Sequence, residues 1–352
     1  MNEIIRIGMD TSKHFFQLHG VDAAEEVVLR RKLTRKEMEK FFQKLSPTEV
    51  GIEACGASHY WARWLQSLGH TVRLMPPQLV KPFVMRNKND AADAEALCEA
   101  MSRPKVRSRF VPVKTAEQQA DLMLMSVRER LVHDRTRLSN AIRGHAAELG
   151  YAAAKGVAHL VPLLERLQAD DRLPERALKL FAMMAEDYQR LTQRLSEIDT
   201  ELKAWHQSNE CSQRLDRIGG VGIICAALLV MKVPDPAAFE SGRDFAAYLG
   251  LTPKDHSTGG KLRLGRITRA GDEALRCNLV VGATAVIQHV RRTGKGSPWL
   301  IELLKRKPPK LVAVALANKT ARIAWKLMKT GEAYNPTHAK AAKVQAQRDA
   351  IA

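Results

Sequence analysis

Two stretches decide the fold, Ile4-Ile-Arg-Ile-Gly-Met-Asp10 and Glu49-Val-Gly-Ile-Glu-Ala-Cys55. Each is a short apolar run that reaches a carboxylate at or near its end, Asp10 in the first and Glu53 in the second. Runs of this length and composition read as strands. Around them, His14 to His19 and Glu25 to Leu33 read as further strands and Thr34 to Leu45 as a helix. Ser58 to Leu68 reads as an amphipathic helix, and Thr71 to Met75 as a strand stopped by Pro76-Pro77. Strands alternating with helices at this spacing predict an α/β sheet. If the strands at 4–10 and 49–55 run parallel, Asp10 and Glu53 emerge on one side at the strand ends, where open α/β sheets bind their ligands.

Asp90 and Asp93 stand three apart at the start of a helix, so both project from one face. Four converging carboxylates, Asp10, Glu53, Asp90 and Asp93, can hold one or two Mg²⁺ ions, or Mn²⁺ in their place. Such cations take oxygen ligands and share their shell with phosphate. Taken singly, the same acids have plain structural readings, as a turn cap, a rim carboxylate, or charges at the positive end of a helix.

After Asn89 the helical period takes over. From Thr115 to Leu149, apolar residues fall at Leu124, Val127, Leu131, Leu138, Ile142 and Leu149; from Leu178 to Trp205 they recur in alternating threes and fours. Two long helices joined through Gly150 to Pro174 are expected to pack as an antiparallel coiled coil, the second about 50 Å long. A third region opens with Leu215-Asp-Arg-Ile-Gly-Gly-Val-Gly-Ile-Ile, read as helix, glycine hairpin and helix. In such a module the amides at Gly220 and Gly222 meet phosphate; the plain alternative is a tight helix-to-helix turn. Helices follow near 244–249, 273–290, 298–305 and 312–328, and an Ala/Lys/Gln-rich tail from 331 is expected to fray.

Composition narrows the function classes. With 45% hydrophobic and 27% charged residues, the chain is not disordered throughout. The longest apolar run, Ile223 to Met231, has nine residues against the roughly 20 of a membrane span, and no secretory leader is read at the N-terminus. Five cysteines without Cys-x-x-Cys spacing predict reduced, buried thiols in a cytoplasmic protein, with neither a zinc site nor a disulfide framework. The net charge of +18 points to a polyanion. Residues 254–330 hold 17 Lys/Arg and four Asp/Glu, a net of +13 that leaves +5 for the rest. Lys261, Arg263, Arg266 and Arg269, interleaved with glycine, are the expected phosphate contacts.

The chain resembles the insertion-sequence transposases with a RuvC-like Asp-Glu-Asp-Asp domain, the DEDD transposases, also called bridge-RNA-guided recombinases. The resemblance rests on Gly8-Met-Asp-Thr-Ser-Lys, Gly51-Ile-Glu-Ala-Cys-Gly and Lys88-Asn-Asp-Ala-Ala-Asp-Ala in the first half. In the second it rests on Ile218-Gly-Gly-Val-Gly, Phe239 to Pro253, and His256-Ser-Thr-Gly-Gly-Lys-Leu-Arg-Leu-Gly-Arg-Ile-Thr-Arg-Ala-Gly271. It extends over nearly the whole chain up to about residue 330. It implies a RuvC-like (RNase H-like) α/β domain over 1–112 and an antiparallel coiled coil over 113–207. A mostly α-helical transposase domain with a helix-hairpin-helix-like element would follow over 208–330, then a flexible tail over 331–352.

The resemblance further implies a magnesium-dependent enzyme that excises and inserts its own DNA element, guided by a noncoding RNA and working as a homo-oligomer, a dimer or tetramer. Matching the motif assigns the serine that becomes joined to DNA to Ser257; where relatives often have two adjacent serines this chain has Ser257-Thr258, a departure that favours Ser257 if the first position is the nucleophile and leaves Thr258 the lesser candidate. The chemistry agrees: a hydroxyl in a glycine-rich, basic loop beside a metal can attack phosphorus and conserve the bond energy as a phosphoester. Ser257 as a simple hydrogen-bond donor to phosphate is the bland alternative, and Ser241, in Glu240-Ser-Gly, reads as a helix cap. Two rival functions stay open, a RuvC-like Holliday-junction resolvase in which water attacks, and a non-catalytic architectural DNA binder.

Overall fold

The computed structural model describes residues 3–84, 89–107 and 110–335, which leaves Lys88 of the acidic motif and most of the tail outside the described residues. The chain divides into two compact units, one of residues 1–119 with 234–238 and one of residues 120–233 with 239–352.

The first unit is built on a five-stranded sheet. Its strands are β1 (Arg6–Thr11), β2 (Phe15–Val21), β3 (Val27–Thr34), β4 (Glu49–Glu53) and β5 (Thr71–Met75), with α1 (Arg35–Lys44) and α2 (Ser58–Ser67) between them. Short α3 (Pro77–Val80), then α4 (Asp90–Ser102) and α5 (Pro104–Arg107), follow. The order is β3-β2-β1-β4-β5; β1, β2 and β3 are antiparallel neighbours, and β4 runs parallel to both β1 and β5. Period-two alternation sorts the side chains. Ile7, Met9, Phe16, Leu18, Val50, Ile52 and Leu74 face one way and pack with Met38 and Phe42 of α1 and Trp61, Ala62 and Leu65 of α2.

The other face receives α4, through glycine. Gly8 and Gly51 are paired across β1 and β4. A Cβ on Gly8 would stand 2.1 Å from the carbonyl oxygen of Ala94 and 2.5 Å from the amide nitrogen of Cys98; one on Gly51 would stand 2.8 Å from Met75 Cε. Buried Arg6 fastens the same contact, its Nε donating to the Cys98 carbonyl at 3.1 Å.

The second unit is helical apart from one hairpin. It holds most of α6 (Ala116–Glu148), then α7 (Leu160–Gln168), α8 (Glu175–Ser208), α9 (Glu210–Asp216), α10 (Ile223–Lys232) and α11 (Gly242–Tyr248). The hairpin strands β6 (Pro253–Asp255) and β7 (Leu264–Ile267) precede α12 (Glu273–Thr293), α13 (Pro298–Arg306) and α14 (Pro309–Thr330). Its main core joins Ala226, Leu229, Phe245, Leu279, Ala283, Val312, Ala317 and Ala321. Alanine on α14 lets helix backbones approach closely.

The long helices α6 and α8 share two clusters, Ile142 and Ala146 with Phe181, Ala185 and Tyr188 at one end, Met125 with Leu202 at the other. Arg128 Nε meets Asp199 Oδ1 at 2.6 Å between them. Three details depart from the sequence reading. Val127 and Leu149, expected in the seam, are exposed, and Met125 and Ala146 are buried instead. The connection from 150 to 174 contains α7, whose Leu160, Leu163, Leu164 and Leu167 complete the cluster at that end. Cys55 and Cys277 are exposed rather than buried; all five thiols are free. Among the described residues, no helix is long and apolar enough to cross a membrane.

Because the atoms that a Gly8 side chain would meet are backbone, they cannot rotate away. Gly8→Ala is expected to cost about 3 kcal/mol, the upper range for overpacking, whereas Gly56→Ala, whose Cβ meets nothing within 4 Å, should change little. Denaturant unfolding of the two variants checks this; equal midpoints would refute the close contact.

Candidate active site

The parallel pairing of β1 with β4 brings Asp10 and Glu53 to neighbouring strand ends on the face that carries α4, as the sequence leads one to expect. Helix α4 adds Asp90 and Asp93 in its first turn, and Asn89 caps it, the Asn89 side chain accepting from the Ala92 amide at 2.9 Å. Burial first, and then the negative charges of Asp93, Asp90 and Glu53, push the Asp10 carboxyl up to about 6. Asp10 therefore feels the other three acids. Among the described residues, no three His, Cys, Asp or Glu side chains form a ready cage for a metal ion. The fit to a divalent cation is one of donor chemistry and charge: four carboxylates, all hard oxygen donors, whose negative charge a cation would neutralise. Near them Thr11 Oγ1 and the exposed Cys55 Sγ lie 3.6 Å apart.

Ser257 belongs to the second unit, on the exposed hairpin of β6 and β7. Its amide donates to Asp255 Oδ1 at 2.8 Å and its Oγ accepts from the Arg263 amide at 3.0 Å. The hydrogen bonds from Ser257 hold the Asp255 carboxyl below the usual range. Asp255 and the Arg263 backbone are thus positioning groups that the sequence reading passed over; the Asp-x-Ser spacing of an Asx turn was the available signal. The tip, Thr258-Gly-Gly-Lys261, closes with the Lys261 amide on the Thr258 carbonyl at 3.1 Å, and Gly259 and Gly260 have φ of 56° and 74°. Positive φ at both central positions is the primed turn that suits a two-stranded ribbon.

Lys261, Arg263, Arg266 and Arg269 are exposed along this arm. Its base is fixed by Arg276, a buried guanidinium that donates to the carbonyls of Leu249 at 3.2 Å and Ala270 at 2.9 Å. Sequence reading missed Arg276 because a buried arginine looks like any other basic residue in a basic region. Ser241 caps α11, accepting from the Asp244 amide at 3.2 Å, which is the role expected of it.

Gly220 and Gly222 lie in the turn between α9 and α10. Gly220 has φ of 87°, and a Cβ on Gly282 of α12 would fall 1.8 Å from its carbonyl oxygen, so this turn is held by glycine against glycine. Beside it is a cavity of about 370 Å³ lined in part by Arg128, Lys203, Gly220, Gly222, Asn278 and Gly282.

Two family models match the chain. One, for DEDD_Tnp_IS110 transposases, matches residues 7–149; the other, described as the transposase IS116/IS110/IS902 family, matches residues 212–296. A putative transposase y4pF/y4sB of Sinorhizobium fredii is 61% identical over 97% of this chain and 88% of its own length. A probable family 20 transposase of Pseudomonas aeruginosa is 46% identical over 94% and 98%. The transposase for insertion sequence element IS1111A of Coxiella burnetii is 37% identical over 95% and 92%.

Without metal, the raised Asp10 carboxyl holds a proton more tightly in the folded than in the unfolded chain, so folded-state stability falls as pH rises from about 4 through about 6. In chelator, Asp10→Asn is expected to melt a few degrees above the unsubstituted protein at pH 7.5 and level with it near pH 3.5. Identical melting temperatures at both pH values would mean that the Asp10 carboxyl is not raised in the folded chain.

Proposed function

The chain belongs to the IS116/IS110/IS902 transposase family, and on that premise we propose that it cuts and rejoins the DNA strands of an insertion sequence with a carboxylate-held divalent metal and a serine nucleophile. The observation that carries this reading is geometric: Asp10 and Glu53 stand at adjoining ends of β1 and β4, and α4, which packs on that face of the sheet, carries Asp90 and Asp93 in its first turn. Burial of Asp10, and then the charge of the other three acids, raises its carboxyl, and a bound cation would relieve both effects.

Asp10, Glu53, Asp90 and Asp93 would hold Mg²⁺, with Mn²⁺ as a substitute. Bound there, the ion would supply positive charge that stabilises the reacting phosphate. Ser257 supplies the attacking atom: its Oγ bonds to phosphorus and gives its proton to solvent water, while the phosphorus–oxygen bond to the leaving strand breaks and the leaving oxygen takes a proton from water to become a free hydroxyl end. Asp255, fixed by the Ser257 amide, orients that hydroxyl. The phosphoserine ester keeps the energy of the broken bond, so attack by the hydroxyl end of a second strand restores Ser257 and seals the new joint without ATP. Thr258, in the tip turn, is the lesser candidate.

The finer architecture follows the same reading. The strand order, with β2 alone running against four parallel strands, supports a RuvC-like, RNase H-like domain over 1–112. The pairing of α6 with α8 within the chain supports an antiparallel coiled coil over 113–207; that this arm also carries self-association into a dimer or tetramer is part of the same proposal. The glycine turn between α9 and α10 supports a helix-hairpin-helix-like phosphate contact at Gly220 and Gly222 within a transposase domain over 208–330. The basic arm at Lys261, Arg263, Arg266 and Arg269 contacts nucleic acid, including a noncoding guide RNA, in the cytoplasm.

Asp10→Asn, Glu53→Gln, Asp90→Asn and Asp93→Asn are each expected to reduce strand cleavage to background while DNA binding survives, since most of the net charge lies after residue 253. With metal, a labelled DNA substrate should give an adduct that survives denaturant and is destroyed by protease; Ser257→Ala should give none, and Thr258→Ala should keep it. Cleavage by Ser257→Ala with no adduct in any variant would make water the nucleophile and the resolvase reading correct. An adduct lost only in Thr258→Ala would move the nucleophile one residue on.

A further inference from the structure

The hairpin of β2 and β3 carries a row of side chains that the site above does not use. Its register sets Gln17 opposite Asp10 and Lys32 opposite Gln17, so the three share one face of the sheet. Phe15, two residues before Gln17, and Arg30, two before Lys32, fall on the same face. Where α4 covers that face, over Gly8, the neighbouring His19 is buried. Beyond that cover Phe15 is 44% exposed, and Arg30 and Lys32 are exposed as well. Lys32 Nζ stands 4.7 Å from the centroid of the Phe15 ring.

Charge along the hairpin is polarised. Its acids gather at the turn far from Asp10, where Asp22 Oδ1 accepts from the amides of Ala24 and Glu26, and Glu25 pairs with Arg6. No acid occurs from Val27 to Lys36, while Arg30, Arg31, Lys32, Arg35 and Lys36 do. The small net charge of the chain outside residues 254–330 conceals this patch.

We propose that this face holds an unpaired stretch of the substrate DNA strand on its way to the carboxylates, with Phe15 stacked on a base and Lys32 and Arg30 on phosphates. Strands lie about 4.8 Å apart, so Lys32 stands about 10 Å from Asp10, roughly three nucleotides at a rise of about 3.4 Å. An exposed aromatic ring among cations is the composition of a single-strand stacking platform. A duplex hides the faces of its bases, so the ring selects unpaired DNA. The proposal rests on the carboxylates being the cleavage centre. A basic edge strand has another use, to discourage pairing with a second sheet, but that use requires neither the alignment with Asp10 nor an exposed ring beneath Lys32.

The test uses the full chain carrying Asp10→Asn, without metal, titrated with a fluorescent DNA single strand, its duplex and the matching RNA strand across a salt series. Adding Arg30→Ala with Lys32→Ala should lower the single-strand salt slope by about 1.4, at about 0.7 for each phosphate. Adding Phe15→Ala should weaken single-strand binding roughly five- to hundred-fold, and Phe15→Trp should restore it, with duplex binding and melting temperature unchanged. Unchanged slope and affinity overturn the proposal, as do equal losses on duplex, or losses on RNA alone. Self-association of the double variant with DNA binding intact would reduce the patch to a guarded edge. Since binding is read without cleavage, failure here is distinct from failure of the cleavage centre, whose sign would be strand cutting that survives Asp10→Asn with metal added.

Discussion

The approach of α4 to Gly8 is the contact on which the site in the first unit depends. Two backbones meet where a methyl group would not fit, and the helix that meets β1 there is the one whose first turn carries Asp90 and Asp93. Asp10 lies two residues beyond Gly8 on the same strand face. A larger residue at Gly8 would lift the helix, and with it two of the four acids, away from the other two. Gly51 on β4, paired with Gly8, leaves room instead for side chains, those of Met75 on β5 and Met101 on α4. Buried Arg6 then links the strand to the helix backbone through Cys98. Stability and chemistry share one close contact, so the requirement for glycine is structural and functional together.

That arrangement has a cost. Burying Asp10, and setting it near Asp93, Asp90 and Glu53, destabilises the bare fold, and the raised Asp10 carboxyl is the sign. The opposing term is the core on the reverse face of the sheet, where Ile7, Met9, Ile52, Trp61, Leu65 and Leu74 are essentially out of solvent. The alternation of β1 thus does two jobs at once: its odd positions bury apolar surface, and its even positions supply arginine, glycine and aspartate. A site that is poor in its own right is tolerated because the strand beneath it is well buried.

What could be read from the sequence divides along physical lines. Short-period features were legible: the apolar alternation ending in Asp10 and Glu53, the threes and fours of α8, and the Ser241 cap all depend on neighbours in the chain. Features set by distant partners were not. Val127 and Leu149 satisfy a heptad count but are left exposed, because which face of α6 is buried is decided by α8 and α7 rather than by α6 itself. Helix α7 was hidden inside a segment bounded by glycine and proline, signals that read as a loop. Gly8 looked like an ordinary strand glycine, since the atoms that require it come from residues 94 and 98. Parallel pairing of β1 with β4 entered as a condition, and the strand register settles it.

The two candidate chemistries are mounted differently, and the difference follows from the elements that carry them. The carboxylates stand at the ends of central strands and on a helix locked to the sheet. Ser257 stands on a two-stranded ribbon, an element of marginal stability by itself, with Leu262 and Leu264 exposed and no core beneath its tip. Its local order comes from three short-range devices: the Asp255 carboxylate on the Ser257 amide, the Arg263 amide on Ser257 Oγ, and two left-handed glycines that set the turn. These fix the hydroxyl relative to the ribbon, while Arg276 fixes the base of the ribbon to the helical core. In the proposed reaction the phosphate backbone gripped by Lys261, Arg263, Arg266 and Arg269 adds the restraint that the tip lacks. On that proposal the same basic side chains would both hold the substrate and order Ser257, which would make strand attack conditional on a substrate being held.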